Sequence, residues 1–221
     1  MDGGIKVPYL SGFFKFLYSF GNWLAKIMFL HILWLVCTLL GLGIFGLVPA
    51  TLATVYIIHK WFVEGFDIPI MRPYWNFYRT NFLKANGFGL IWVTIGLFLY
   101  ADYYISKQFI QSFYFHSFLI ILMVLFTISL FHFHTAFIRY DLKFFHYFKQ
   151  SLLIGLARPI ESIAMVITLL PIYYLYNIFP IFIVFMGSSL TLYPIVWFSY
   201  RACILVEEKR ERIHKESTSL L

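Results

Sequence analysis

"IMFLHILWLVCTLLGLGIFGLVPATLA", residues 27–53, contains no Asp, Glu, Lys or Arg. A helix needs roughly 20 apolar residues to cross the hydrocarbon core of a bilayer, and this run exceeds that. Its glycine-rich middle, "GLGIFG" at 41–46, reads as a break between two helices. Phe113–Ile138 is a second long run without formal charge. Composition agrees, with 61% hydrophobic and 12% charged residues and a mean hydropathy of +0.80. Soluble domains carry about a quarter charged residues, so this chain has too little polar surface to cover a globule in water. The expected fold class is an all-α membrane protein.

Working outward, six apolar segments emerge: Trp23–Leu40, Leu47–Phe62, Gly87–Tyr104, Ser112–Arg139, Ile160–Tyr176 and Ile181–Val206. Pro171 and Pro194 should kink the last two. The second segment is short, and a tilted or half-inserted helix there would leave five full spans. Charge favours six. Lys60, Arg72, Arg79 and Lys84 cluster in one connection, and Arg139, Lys143, Lys149 and Arg158 in another, whereas 41–46 and 177–180 carry no charge. Lys/Arg-rich connections stay cytoplasmic, so six spans place both termini inside. Tyr100, Tyr103, Tyr104 and Tyr114 then form an outer interfacial belt, with Tyr173, Tyr174 and Tyr176 at the other outer connection. Lys6, Lys15 and Lys26 precede an apolar stretch too long for a cleavable signal peptide, so it is expected to be a retained first helix. Residues 1–206 read as one polytopic domain and 207–221 as a charged cytoplasmic tail, a solvated helical end with Glu211 and Lys215 at i,i+4.

The net charge of +7 is spread between apolar runs rather than gathered in one polar domain, which points to membrane orientation and not to nucleic acid. Cys37 and Cys203 lie in or at the end of apolar segments, too few for a disulfide framework or a zinc site. His31 is the one titratable side chain deep in a span. His132 and His134 point about 200° apart on a helix and cannot share a metal without a third element. Glu161 suits the first turn of the fifth span, with Arg158 as its expected neutralising partner. No catalytic constellation, metal set or cofactor motif is evident, so no enzyme activity and no cofactor are expected. Gly46, Gly187 and Ser188 are small residues suited to helix packing or to a pore, with His31 the polar group at similar depth.

Between the second and third spans lies "RPYWNFYRTNFLKANG", 72–87. On a helical wheel Tyr74, Trp75, Tyr78, Phe82 and Ala85 share an arc of about 100°, with Arg72, Asn76, Arg79, Thr80 and Lys84 opposite. This predicts an amphipathic elbow in the inner headgroup layer, rings in lipid and cations near anionic headgroups. "FHYFKQSLLIG" (145–155) overlays "WNFYRTNFLKA" (75–85) at an offset of 70, matching Trp75 with Phe145, Phe77 with Tyr147, Tyr78 with Phe148 and Arg79 with Lys149. The pair suggests a weak internal repeat of span, elbow and span. Each elbow is expected to serve either as a lipid anchor or as a docking surface for a cytoplasmic or membrane partner.

"HILWLVCTLLGLGIFGLVPATLATVYIIHKWFVEG" (31–65) and "YWNFYRTNFLKANGFGLIW" (74–92) resemble the YesL family of bacterial inner-membrane proteins. The resemblance rests on Leu33–Trp34, the turn Gly41–Gly46, Pro49–Thr51 and the segment Tyr78–Phe82, where Tyr78 stands for the usual Phe. It implies the bacterial cytoplasmic membrane and an accessory role in oligosaccharide uptake, since family genes often neighbour those of carbohydrate ABC transporters. Permease subunits are the implied partners. A small stand-alone transporter or channel is the alternative. The family supplies no catalytic residues.

Overall fold

A computed structural model describes residues 12–110 and 112–219. The amino-terminal stretch with Lys6 and the last two residues of the tail lie outside them. The described residues form seven helices: α1 (Gly12–Leu40), α2 (Ile44–Glu64), α3 (Met71–Phe109), α4 (Phe113–Arg139), α5 (His146–Ala157), α6 (Pro159–Ile178) and α7 (Ile181–Ser219). All but α5 are long and apolar enough to cross a membrane, so the chain is a multi-pass membrane protein. Its outward surface suits that solvent, since residues such as Leu97, Val124, Ile167 and Val184 are exposed.

The turn between α1 and α2 works because its residues are small or left-handed. Leu42 and Gly43 have φ of 57° and 75°, the region that favours glycine. A Cβ on Gly46 would overlap the Thr38 carbonyl oxygen, and one on Gly41 would overlap the Gly46 backbone. Trp34 Nε1 donates to Thr51 Oγ1 at 3.0 Å and ties the two helices together. α2 then runs through the middle of the protein, with Ala50, Leu52, Ala53, Val55, Ile57 and Ile58 fully buried. At 21 residues it is longer than the second segment expected from sequence.

α3 pairs antiparallel with α2, Phe77 stacking on Tyr56 and Gly89 closing on Val48. Tyr78 reaches the α1 carboxyl end, its hydroxyl donating to the Cys37 carbonyl at 2.9 Å. The α1–α2 turn is therefore level with residues 78–89. α3 continues about 30 Å beyond Gly89 at 1.5 Å per residue. Charge assigned the 41–46 turn and the α3–α4 connection to one outer face; these contacts put them at different levels.

A second core gathers aromatic side chains of α3, α4 and α5. Phe88 stacks on Phe144 with centroids 4.0 Å apart, and Trp92, Phe133, Phe137 and Tyr147 complete the cluster. The α4–α7 contact is polar at its end. Arg139 Nε donates to Glu207 Oε1 at 2.8 Å, a second guanidinium nitrogen takes the other oxygen, and the Tyr140 hydroxyl donates to Oε1 at 2.7 Å. Burial pushes the Tyr140 phenol well above its ordinary pKa, which keeps it a donor. Glu207, expected to open a solvated tail, is thus fastened to the bundle, and α7 continues unbroken to Ser219. Arg158 does not pair with Glu161; it donates to the Leu205 carbonyl at 3.1 Å, linking the start of α6 to α7.

Candidate functional site

The stretch 72–87 is not a separate elbow. It is the first part of the 39-residue α3, which runs on through Gly87 and through Gly89, where the helix closes on Val48. The predicted apolar arc exists, but it faces protein. Tyr74 donates to the Ala50 carbonyl at 3.0 Å and Tyr78 to that of Cys37, and both rings are buried. Phe82 packs edge-on against Tyr78 and is half-buried. Trp75 stacks on Tyr78 at 5.7 Å yet remains 41% exposed. Arg72 and Arg79 point outward.

α5 repeats the register with a different end. Tyr147 is buried, its hydroxyl donating to the Tyr140 carbonyl at 3.0 Å and accepting from the Leu142 amide at 3.2 Å. Lys84 of α3 lies over the Tyr147 ring, 5.1 Å from its centroid. Phe148 packs on Trp92 and Phe133. The outer stripe carries Phe145, Lys149, Leu153 and Leu156, and Phe145 is 77% exposed. The sequence overlay holds in burial at several positions: Trp75 and Phe145 face out, as do Arg79 and Lys149, while Ala85 and Gly155 face in; it breaks at Lys84, which is exposed, against Ile154, which is buried. Tyr147 was missed as an anchor, although its match to Phe77 was the available signal.

His31, Gly187 and Ser188 come together across 157 positions. Ser188 Oγ lies 2.7 Å from His31 Nδ1, and the Ser188 amide donates to the same nitrogen at 3.2 Å. Nδ1 is thus an acceptor, which leaves the proton on Nε2 of the neutral ring. Tyr176 adds a hydrogen bond to the Gly187 carbonyl at 2.9 Å. Gly46 belongs elsewhere, in the α1–α2 turn.

A further polar cluster escaped the sequence. His132 is fully buried, with Nδ1 3.1 Å from Ser199 Oγ and Nε2 3.0 Å from Ser162 Oγ. One imidazole thereby joins α4, α6 and α7, and Ser129–Ser151 joins α4 to α5 at 2.9 Å. Such interhelical hydrogen bonds hold helices together in lipid, at about 0.6–2 kcal/mol each. Isolated serines 30 and 67 positions from His132 give no local pattern to read. His134 makes no hydrogen bond to this cluster. No group of three or more His, Cys, Asp or Glu placed to hold a metal occurs among the described residues.

Against known proteins, the chain matches a family model described as "Protein of unknown function, DUF624" over residues 27–103. It is 32% identical to the uncharacterized protein YesV of Bacillus subtilis (strain 168) over 187 residues, covering 84% of this chain and 90% of that protein. YteU of the same organism is 28% identical over 192 residues, covering 86% of each chain, and YesL is 26% identical over 193 residues, covering 87% of this chain and 92% of that one. No solved structure matches. With this identity and coverage, and with six helices suited to a membrane, the chain belongs to the YesL-type family of DUF624 membrane proteins.

Proposed function

We propose that this protein is a non-enzymatic accessory subunit in the bacterial cytoplasmic membrane, with both termini cytoplasmic, that assists oligosaccharide uptake by an ABC importer. The permease contact lies on α5. The observation that carries this reading is the outer stripe of α5. Phe145, Lys149, Leu153 and Leu156 stand exposed on a short helix whose other face is pinned by Tyr147, Ser151 and Ile154. A rigid helix presenting an unpartnered apolar stripe with one cation is suited to a subunit contact. The family resemblance supplies the importer as its partner.

A stand-alone transporter is the second reading, favoured by the polar seam of His31, Ser188, Tyr176 and Thr191 inside the helices. Intramembrane polar groups are natural places for a solute path. His31, however, is 3% exposed and its contacts are those of a packed joint.

Mild-detergent purification of the tagged chain from its native membrane, with partners identified by mass spectrometry, tests the first reading. Permease subunits should co-purify with the wild type and be lost from F145A/K149Q/L153S, which retains Tyr147 and the core. A folded protein recovered alone, showing solute flux in liposomes, would establish the second reading instead.

A further inference from the structure

Several cations of this chain are engaged. Lys26 contacts Asp67, Lys60 pairs with Glu64, Arg139 with Glu207, and Arg158 holds the Leu205 carbonyl. Arg72 and Arg79 make no ion pair or hydrogen bond among the described residues. They lie two helical turns apart on the outward side of α3, with Asn76 and Thr80 between or beside them. Two hollows flank that stripe. One of about 540 Å³, between α2 and α3, is lined by Lys60, Arg72, Asn76 and Thr80 against the Tyr56–Phe77 stack. The other, about 470 Å³, is lined by Arg72, Trp75, Asn76, Arg79 and Thr80.

A third hollow is apolar in character. It measures about 440 Å³ and runs between Leu33, Val36 and Leu40 of α1 and Met71, Tyr74 and Trp75 of α3. Arg72 lines all three hollows, and Trp75 lines two. Val36 and Leu40 are exposed residues of a helix suited to a membrane, so the apolar groove opens toward acyl chains. Trp75 lines it with an indole, the side chain favoured at the level of the headgroups. An apolar groove that runs directly into paired, unneutralised guanidinium groups has the polarity of one ligand class, with a hydrocarbon tail and an anionic head.

We propose that the α1–α3 groove and the Arg72–Arg79 stripe together bind one anionic phospholipid. An acyl chain lies along Leu33, Val36 and Leu40, and the phosphate is held by Arg72 and Arg79. Guanidinium groups suit this task because their fixed fork of donors matches phosphate oxygens bidentately. Asn76 and Thr80 supply neutral hydrogen bonds to the rest of the headgroup. A free phosphate or a sugar would leave the apolar groove unused, and a zwitterionic lipid would leave the arginines without a net opposing charge. This site is on α3, on other residues than the α5 stripe, and does not depend on the importer reading.

Native mass spectrometry of the full chain, released from detergent micelles after titration with dioleoyl phosphatidylglycerol, tests the proposal. Dioleoyl phosphatidylcholine and glycerol phosphate serve as the two comparison ligands. The wild type should retain one phosphatidylglycerol. R72Q/R79Q should weaken retention by about tenfold or more, the loss expected for a charge-assisted hydrogen bond, and R72K/R79K should recover part of it. V36W/L40W fills the groove without touching the arginines and should also lose the lipid; it decides the matter if R72Q/R79Q does not fold. Equal retention of phosphatidylcholine, equal binding of glycerol phosphate, or undiminished phosphatidylglycerol on the groove-filled protein would each overturn the proposal.

Discussion

The first part of α3 and the whole of α5 share much of their inward and outward register, Lys84 and Ile154 excepted, yet one continues into a span and the other stops. At the offset of 70 residues that aligns them, Gly89 of α3 corresponds to Pro159 at the start of α6. Gly89 keeps its amide in the helix and lets Val48 come close. Pro159 has no amide to donate and disfavours the helical region for the residue before it, and Arg158 is found at φ −135° and ψ 67°. A single position thus separates a continuous 39-residue helix from a 12-residue helix followed by a new 20-residue one. The consequence is local: α3 presents its outer arginines beside α1, whereas α5 is a short helix packed on α4 with its outer stripe exposed.

Moving the proline should have the largest effect. Gly89→Pro removes a mid-helix hydrogen bond and forces a ring against Val48, so a loss of about 3 kcal/mol or more is expected. The measurement is the folded yield and thermal unfolding of the purified protein in detergent. Pro159→Ala should change stability by less than about 1 kcal/mol, because the first helical position needs no amide donor. Equal effects at the two positions would show that the proline does not set the difference.

The next pair is Ala85 and Gly155, aligned and both buried. A Cβ on Gly155 would overlap Ile128 and come within 3.2 Å of the His132 ring. Gly155→Ala should therefore cost about 1–3 kcal/mol by overpacking, despite the gain in helix propensity. Thermal unfolding of G155A, I128A and I128A/G155A checks the cause, since alanine at position 128 removes the overlapping Cγ2 methyl and should make the Gly155 substitution less costly than it is beside Ile128.

The tyrosine anchors separate by smaller amounts. Tyr147→Phe strands the Leu142 amide and the Tyr140 carbonyl together, and about 2 kcal/mol is expected. Tyr78→Phe removes one donor from a carbonyl that also accepts the Gly41 amide, so about 1 kcal/mol is expected. Both are read from unfolding midpoints in the same detergent. The outward partners come last. Trp75→Ala and Phe145→Ala should each shift stability by no more than about 0.5 kcal/mol, as surface changes do, leaving their effects to lipid and partner binding.

Much of this architecture is legible in the sequence where lipid and chain make opposite demands. Uncharged runs such as 27–53 announce spans, and their ends fall within a few residues of the helices except where α1, α3 and α7 extend beyond the apolar segment. The amphipathic arc of 72–87 was legible too, but its destination was not. A bilayer and a neighbouring apolar helix are alike to Tyr74 and Tyr78, so periodicity cannot say which one covers them. Gly87–Gly89 looked like a boundary because glycine both breaks helices and permits close approach, and only Val48 decides between those uses. His31 and Ser188 were each noticed for depth and size. Their meeting, and that of His132 with Ser162 and Ser199, depends on how distant helices pack.

On the proposed reading the two aligned elements do different work, α5 meeting a partner and the outer side of the first part of α3 facing lipid. A photoactivatable phenylalanine analogue placed in native membranes at Leu153, and in a separate protein at Leu83, tests it most directly, both positions being exposed. Cross-linking to a permease subunit from position 153 and only to lipid from position 83 is the predicted result. Protein cross-links from 83 with none from 153 would show that α3, not α5, meets the partner.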